Sequence, residues 1–366
     1  MVALTELGTA LHSAHERVYA LTDRASGLEA YIAIHSTARG PAFGGCRMKT
    51  YPSRQAALRD ALRLSQAMSR KAALARLPFG GGKCVVMADP RTQKTEALLL
   101  ALAEGIDRLG GAFLTADDSG TSVRDMEVLR RVTPHARGLV MPSGDACPAA
   151  AHGTFMAIQA AVRFRFGRFD LRGRRIAVQG LGALGMVLCD YLARAGADLI
   201  VADVVPERVQ QAVWNFGAKA VSPDVILSVQ ADVLSPNAFG DVICDATLPE
   251  IRAAIVVGGA NNQLRGPRHG EALHRRGILY VPDYVANAGG LIDVAMEGPD
   301  YDAARVLRRC ETIYHTTLRL LNDADRKGIS PSRLADQMAA VGIGRSQIGR
   351  SQIGPAPVPP ALRVCA

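Results

Sequence analysis

RIAVQGLGALGMVLCDYLARAGADLIVAD, residues 175–203, opens on a short apolar run, turns on three glycines and closes on an acid. Gly180, Gly182 and Gly185 stand in G-x-G-x-x-G spacing between a predicted strand and a predicted helix opening at Leu184. Asp203 ends the next predicted strand about twenty residues later. In such a unit the first glycine permits a tight turn, and the second lets a pyrophosphate approach the backbone. The third lets the helix pack closely on the sheet. The helix N-terminus, with Ala183 and Leu184 in its first turn, offers N–H donors to the phosphate charge. A carboxylate at Asp203 would accept from an adenosine ribose 2′-hydroxyl and repel a 2′-phosphate, which favours NAD over NADP. Arg208 is placed to receive a 2′-phosphate instead and would soften that preference.

Beyond this stretch the chain continues to alternate. DLIVAD is followed by PERVQQAVWNF, then ADVLSPN, AAIVVGGAN and GILYVPDYV, a rhythm that predicts a parallel sheet covered by helices. The first half differs. YIAIHSTA reads as a strand, residues 52–77 as a long amphipathic helix, and CVVMADP as a buried strand following a glycine run. Residues 302–323 read as one amphipathic helix and SPSRLADQMAAV as a short one. The stretch from 344 to 366 repeats GRSQI, turns Pro-rich and is expected to be a disordered tail. The fold class is therefore α/β in two domains, an N-terminal α/β domain and a Rossmann dinucleotide-binding domain.

With 366 residues, 48% of them hydrophobic, the chain can bury two cores. The net charge of +9 is scattered rather than gathered into a basic run with aromatic residues, so no nucleic-acid partner is expected. Seven cysteines contain no C-x-x-C pair, which points to reduced thiols and no metal site. The N-terminal segment lacks an apolar signal core, and no apolar stretch approaches the ~20 residues of a membrane span. A soluble, cytoplasmic protein is expected.

LPFGGGKCVV, residues 77–86, looks at first like a phosphate cradle. A P-loop needs glycine where Leu77 stands and Ser or Thr where Cys84 stands, so Lys83 has another purpose. GPAFGGCRM, AMSRKAALARLPFGGGK, TADDSGTSVRDM, VQGLGALG, GGANNQL and GILYVPDYVANAGG, in this order over roughly residues 10 to 335, resemble the Glu/Leu/Phe/Val dehydrogenase family, in particular its leucine, valine and phenylalanine branch. The resemblance implies NAD-dependent oxidative deamination of an L-amino acid to a 2-oxo acid and ammonia. It further implies a homo-oligomer, a dimer or an octamer. Residues 1–140 would form the substrate domain, completed by helices around 326–343, and residues 145–325 the NAD-binding domain.

By the family's pattern Lys71 binds the substrate carboxylate, Lys83 activates the attacking water and Asp118 shuttles protons to and from the amino group. A lysine base near neutrality needs its pKa lowered by about 2–3 units, which burial and a second ammonium would supply at Lys83. The glycines are read as letting substrate and cofactor approach the chain. Gly44 and Gly45 would flank the substrate, and Asn262 and Asn287 would bond cofactor or substrate. Phe43, Ala116, Leu291 and Val294 match the family's side-chain pocket. An uncharged lining argues against glutamate and for a branched aliphatic side chain, with phenylalanine the alternative. Two stretches depart from the pattern. Cys147 and Ala150 replace a Ser and a Thr that hold the nicotinamide end, and Asn237 and Asp241 enter a usual C-A-L-G-G. A dinucleotide-binding homologue with reduced or lost turnover is thus a further alternative.

Overall fold

A computed structural model describes residues 1–8, 14–138, 147–168, 170–238, 240–298 and 300–350, with the backbone alone for 345–350. The first layer contains strands β1 (Ala3–Glu6), β2 (Arg17–Asp23), β3 (Leu28–Ser36) and β4 (Ala42–Lys49), then helix α1 (Arg54–Leu74) and strand β5 (Gly80–Met87). Helix α2 (Glu96–Asp107), strand β6 (Phe113–Asp117) and helix α3 (Val123–Arg130) complete it. The sheet order is β1-β2-β3-β5-β4-β6, antiparallel as far as β5 and parallel across β5, β4 and β6. Ser53 caps α1 by accepting from the Ala56 N–H at 3.1 Å. Small residues on α1, Ala57 and Ala61, pack on Tyr31, Ala33 and Val85 of one sheet face. Phe113, Leu102, Ile106 and Met126 fill the other.

The glycine run is not a loop before a strand: β5 begins at Gly80. A Cβ on Gly81 would lie 2.2 Å from the Ser69 backbone N on α1, and one on Gly82 would lie 2.6 Å from the Phe113 ring. The glycines let β5 press against protein on both faces, which replaces the expected role in ligand approach.

The second layer opens with α4 (Cys147–Phe166), β7 (Arg175–Gln179), α5 (Ala183–Arg194), β8 (Asp198–Ala202), α6 (Pro206–Phe216) and β9 (Lys219–Ala220). It continues with β10 (Val233–Pro236), β11 (Ile255–Val256), α7 (Pro267–Arg275), β12 (Leu279–Tyr280), α8 (Asp283–Ala286) and α9 (Gly289–Ala295). All its pairings are parallel, in the order β12-β11-β10-β7-β8-β9. Counted from β7 this is the doubly wound 3-2-1-4-5-6 arrangement, whose crevice at the strand reversal takes dinucleotides. Gly182 is the N-cap of α5, which opens at Ala183, one residue before the sequence expectation.

The single helix expected over 302–323 is two, α10 (Ala303–Cys310) and α11 (Thr312–Lys327). At the break the Thr312 hydroxyl donates to the Arg309 carbonyl at 2.7 Å, competing with the helix ladder. Helix α12 (Pro331–Arg350) is longer than expected and returns to the first layer. Arg39 Nη1 donates to Gly342 O at 3.1 Å, and Arg70 pairs with Asp336 at 3.4 Å. With no proline between Pro331 and Pro355 to interrupt it, the helix runs through the first GRSQI copy, so the disordered tail expected from 344 does not begin there; residues 351–366 lie outside the described part. Among the described residues no helix is long and apolar enough to cross a membrane.

Candidate active site

Between the two layers lies a cleft of about 360 Å³. The first layer supplies Arg47 from β4, Lys71 from the last turn of α1, Lys83 from β5 and Asp118 from the end of β6. Facing them are Gly259, Asn261 and Asn262 after β11, Asp283 and Asn287 around α8, and Gly290, Leu291, Asp293 and Val294 on α9. Period-2 alternation explains why Gly45 and Arg47 share one side of β4. A Cβ on Gly45 would lie 2.8 Å from the Asp118 Cβ, so this glycine makes room for the acid. Gly44 points the other way, where a Cβ would meet Gly82 O at 1.8 Å, and it does not line the cleft.

Lys83 is 4% exposed and its ammonium pairs with Asp118 Oδ2. Arg47 Nη2 donates to Asp118 Oδ1 at 3.4 Å, and the Ser119 N–H donates to the same oxygen at 2.5 Å. Burial alone would raise the Asp118 carboxyl, but Lys83 and Arg47 together hold it well below the usual carboxylate range. Lys71 Nζ donates to Asn261 Oδ1 at 3.2 Å. Burial drives the Lys71 ammonium down to about 8; the Asp283 carboxylate opposes this and the Lys83 ammonium adds to it. Burial in turn raises the Asp283 carboxyl, against the pull of the Asn262 N–H and Lys71.

Asn287 donates to Gly259 O at 3.1 Å and Asn261 Oδ1 at 2.9 Å. Its own Oδ1 is buried without a partner among the described residues. Asn262 adopts φ 54° and its N–H donates to Asp283 Oδ2 at 2.7 Å. Phe43, Ala116, Leu291 and Val294 meet as one apolar wall of the cleft, with Phe43 against Phe79 at 5.2 Å between ring centres. Cys147 and Ala150 line the cleft as well.

The glycine-rich turn lies beside this cavity, and of its residues only Leu184 lines it. Gly180 takes φ 91°, and a Cβ on Gly185 would lie 2.0 Å from Gly180 O. Among the described residues nothing stands within 4 Å of a Cβ on Gly182, so the first turn of α5, with Ala183, faces open space. These residues fit a dinucleotide phosphate. Asp203 accepts from the Leu181 N–H at 2.6 Å and the Val205 N–H at 2.8 Å, with Arg208 Nη1 at 3.8 Å. Of the departing residues, Asn237 Oδ1 accepts from the Gly259 N–H at 2.7 Å. Asp241, at φ 59°, pairs with Arg63 of α1 at 3.4 Å, bridging the two layers.

Sequence reasoning missed Arg47, Asn261 and Asp283. Arg47 sits two residues beyond Gly45, and strand alternation alone places it on the same face. Asn261 and Asp283 carried no local signal.

Residues 14–135 match the family described as Glu/Leu/Phe/Val dehydrogenase, dimerisation domain, and residues 205–303 match Glutamate/Leucine/Phenylalanine/Valine dehydrogenase. A leucine dehydrogenase of Bacillus cereus is 44% identical over 328 residues, covering 89% of this chain and 90% of that protein. A phenylalanine dehydrogenase of Lysinibacillus sphaericus is 42% identical over 320 residues, covering 85% and 84%. The crystal structure of L-tryptophan dehydrogenase from Nostoc punctiforme superimposes with a TM-score of 0.80 at 36% identity, covering 93% of this chain and 98% of that one. The paired lysines, the glycine-rich turn and these likenesses agree: the chain belongs to the Glu/Leu/Phe/Val dehydrogenase family and is an amino acid dehydrogenase, an NAD(P)-linked oxidoreductase.

Proposed function

We propose that the chain converts an apolar L-amino acid of the leucine or valine type, with NAD and water, into its 2-oxo acid, ammonium, NADH and a proton. The observation that carries this reading is the placement of Lys71, Lys83 and Asp118 in one cleft whose wall is Phe43, Ala116, Leu291 and Val294. Lys71 binds the substrate carboxylate, exchanging its bond to Asn261 for a charged partner. Asp118, kept ionised, accepts the proton that frees the amine, and Lys83 takes the proton of the water that attacks the imine. The bound nicotinamide supplies the acceptor for the α-carbon's two electrons and hydrogen. Asn287, whose Oδ1 has no partner among the described residues, and Asn262 hold that end of the cleft. Cleft closure excludes water other than the reactant.

NAD rather than NADP is supported by Asp203, whose carboxylate is fixed by two turn amides and stands beside Arg208, opposing a 2′-phosphate there. The substrate domain comprises residues 1–140 with the returning segment 326–343, and residues 145–325 form the dinucleotide domain. A homo-oligomer is proposed from the dimerisation domain named for residues 14–135. An aromatic substrate is the second reading, favoured by Leu291 and by the relatives named phenylalanine dehydrogenase and L-tryptophan dehydrogenase.

NADH formation should be followed with purified protein against a panel of L-amino acids, with NAD and NADP side by side at mildly alkaline pH. Highest kcat/KM with leucine or valine and NAD is the expected result. A preference for phenylalanine or tryptophan selects the second reading. NAD binding without turnover on any amino acid overturns both and points to Cys147 and Ala150 as the lesion.

A further inference from the structure

The acid–base pair proposed above poses an electrostatic problem that a residue outside it can solve. Lys83 acts as a base only after losing its proton, and at that moment Asp118 loses its nearest cation. The Asp118 side chain is 15% exposed. A carboxylate at that depth without compensation takes up a proton, and then has no capacity to accept one from the substrate ammonium.

We propose that Arg47 is a positioning residue that holds Asp118 ionised and aimed into the cleft during the part of the cycle in which Lys83 is neutral. This rests on the assignment of Lys83 and Asp118 as the acid–base pair. Arg47 lies on β4, in register with Val85 two residues beyond Lys83 on β5. Its guanidinium reaches Asp118 Oδ1 with Nη2 at 3.4 Å and Asp60 Oδ2 on α1 with Nη1 at 3.3 Å. The Tyr51 hydroxyl donates to that same Asp60 oxygen at 2.7 Å, and Lys49 Nζ lies 3.9 Å from it. The fork is thus braced on one acid and spends its other arm on the second. The brace also keeps Arg47 from swinging toward the substrate carboxylate, which leaves that task to Lys71.

The chemistry requires an arginine at this place. A guanidinium stays charged across the working pH range, so its support for Asp118 does not change as Lys83 cycles. A lysine there would be one point charge shared between two carboxylates, without the planar fork. The other groups facing Asp118 leave the role open. From β5 comes Lys83, which cycles, from the loop after β6 comes Ser119, a neutral donor, and β6 itself ends on Asp117, an anion. Along the cleft, Lys71 is engaged with Asn261 and opposed by Asp283. Arg47 is the permanent cation in bonding distance among the described residues.

The test measures pH profiles of kcat and kcat/KM on the best panel substrate with the full-length enzyme, for wild type, Arg47→Gln, Arg47→Lys and Asp60→Asn, with Lys83→Met and Asp118→Asn as references. NADH affinity confirms that each variant retains its dinucleotide domain. Removing an opposite charge at this range should move the acidic limb upward by about 1–3 pH units in Arg47→Gln. It should lower kcat roughly 10- to 100-fold near neutrality, with KM for the amino acid changed less than about threefold, as expected for a lost acid–base contribution. Arg47→Lys should recover part of kcat with a smaller upward shift of the limb, whereas Asp60→Asn, which removes a competing anion from the same fork, should not move the limb upward. Should Arg47→Gln fail to fold, Arg47→Lys decides alone. An unshifted acidic limb, or an effect confined to KM, overturns the inference while leaving the parent reading intact. Turnover retained in Lys83→Met instead defeats the parent reading itself, and this inference with it.

Discussion

Lys71→Met should make the protein more stable at neutral pH and nearly useless as an enzyme. Burial lowers Lys71 from an ordinary 10.5 to about 8, so the unfolded chain holds that proton more tightly than the folded one. A folded state that binds a proton less tightly is penalised wherever the group is charged. The penalty is full below about pH 8 and fades as pH rises from about 8 to 10.5, so stability climbs with pH over that window. At ~1.36 kcal/mol per unit, and reduced because Lys71 is partly open to the cleft, the penalty is on the order of 2–3 kcal/mol. Methionine keeps the length of the stem and removes the charge. It leaves no orphan behind, because Asn261 Oδ1 still accepts from Asn287 at 2.9 Å.

For a chain of 366 residues unfolding as one unit, that penalty corresponds to roughly 3 °C in Tm. The assay is a thermal scan of wild type and Lys71→Met at pH 7 and at pH 10, at one protein concentration so that any oligomer contributes equally. The variant should melt higher at pH 7, and the gap should shrink at pH 10. KM for the amino acid should rise by at least about 30-fold, the lower bound for losing one partner of a buried charged pair. A variant that melts lower at pH 7, or a gap that ignores pH, would refute the argument that Lys71 is held at an electrostatic cost.

Gly44→Ala should cut soluble yield and Tm sharply, because its Cβ would stand 1.8 Å from Gly82 O and the backbone of β5 cannot retreat from α1; the cost should exceed about 3 kcal/mol, and a variant with wild-type Tm would contradict the packing described. Asp203→Ser removes the carboxylate that opposes a 2′-phosphate and frees Arg208, so the NADP-to-NAD ratio of kcat/KM should rise at least about tenfold. An unchanged ratio would place the adenosine ribose elsewhere. Ala116→Gly opens the apolar wall by one methyl, which should shift the phenylalanine-to-leucine ratio of kcat/KM upward by roughly 5- to 150-fold; a fall in that ratio would remove Ala116 from the side-chain pocket.

What could be read from the chain and what could not divide along contact order. The glycine-rich turn is built from consecutive residues, so the spacing of Gly180, Gly182 and Gly185 before the acid at Asp203 is legible in the chain itself. The cleft is assembled from distant ones: Lys83 meets Asp118 across 35 residues and Lys71 meets Asn261 across 190. Motif resemblance named several of these partners, but not Arg47, Asn261 or Asp283, whose roles arise from who stands opposite. The glycines of β5 show how a correct residue can carry a wrong reason. Gly81 and Gly82 must lack side chains whether a ligand or a helix lies against them, and only the positions of Ser69 and Phe113 decide between the two.

The cleft's charges also explain where selectivity has to reside. On the proposed assignment every substrate brings the same zwitterion. Its carboxylate replaces the Asn261 oxygen at Lys71, and its ammonium competes with Lys83 for Asp118. The protein's groups thus bond one another much as they would bond the substrate, which keeps them aligned beforehand and reduces reorganisation on binding. Because this exchange is common to all amino acids, it contributes affinity without choosing among them. Discrimination falls to the apolar wall of Phe43, Ala116, Leu291 and Val294, where a methylene changes the balance by only about 1–3 kcal/mol. A change at one or two wall residues can therefore redirect the substrate while these charges stay as they are.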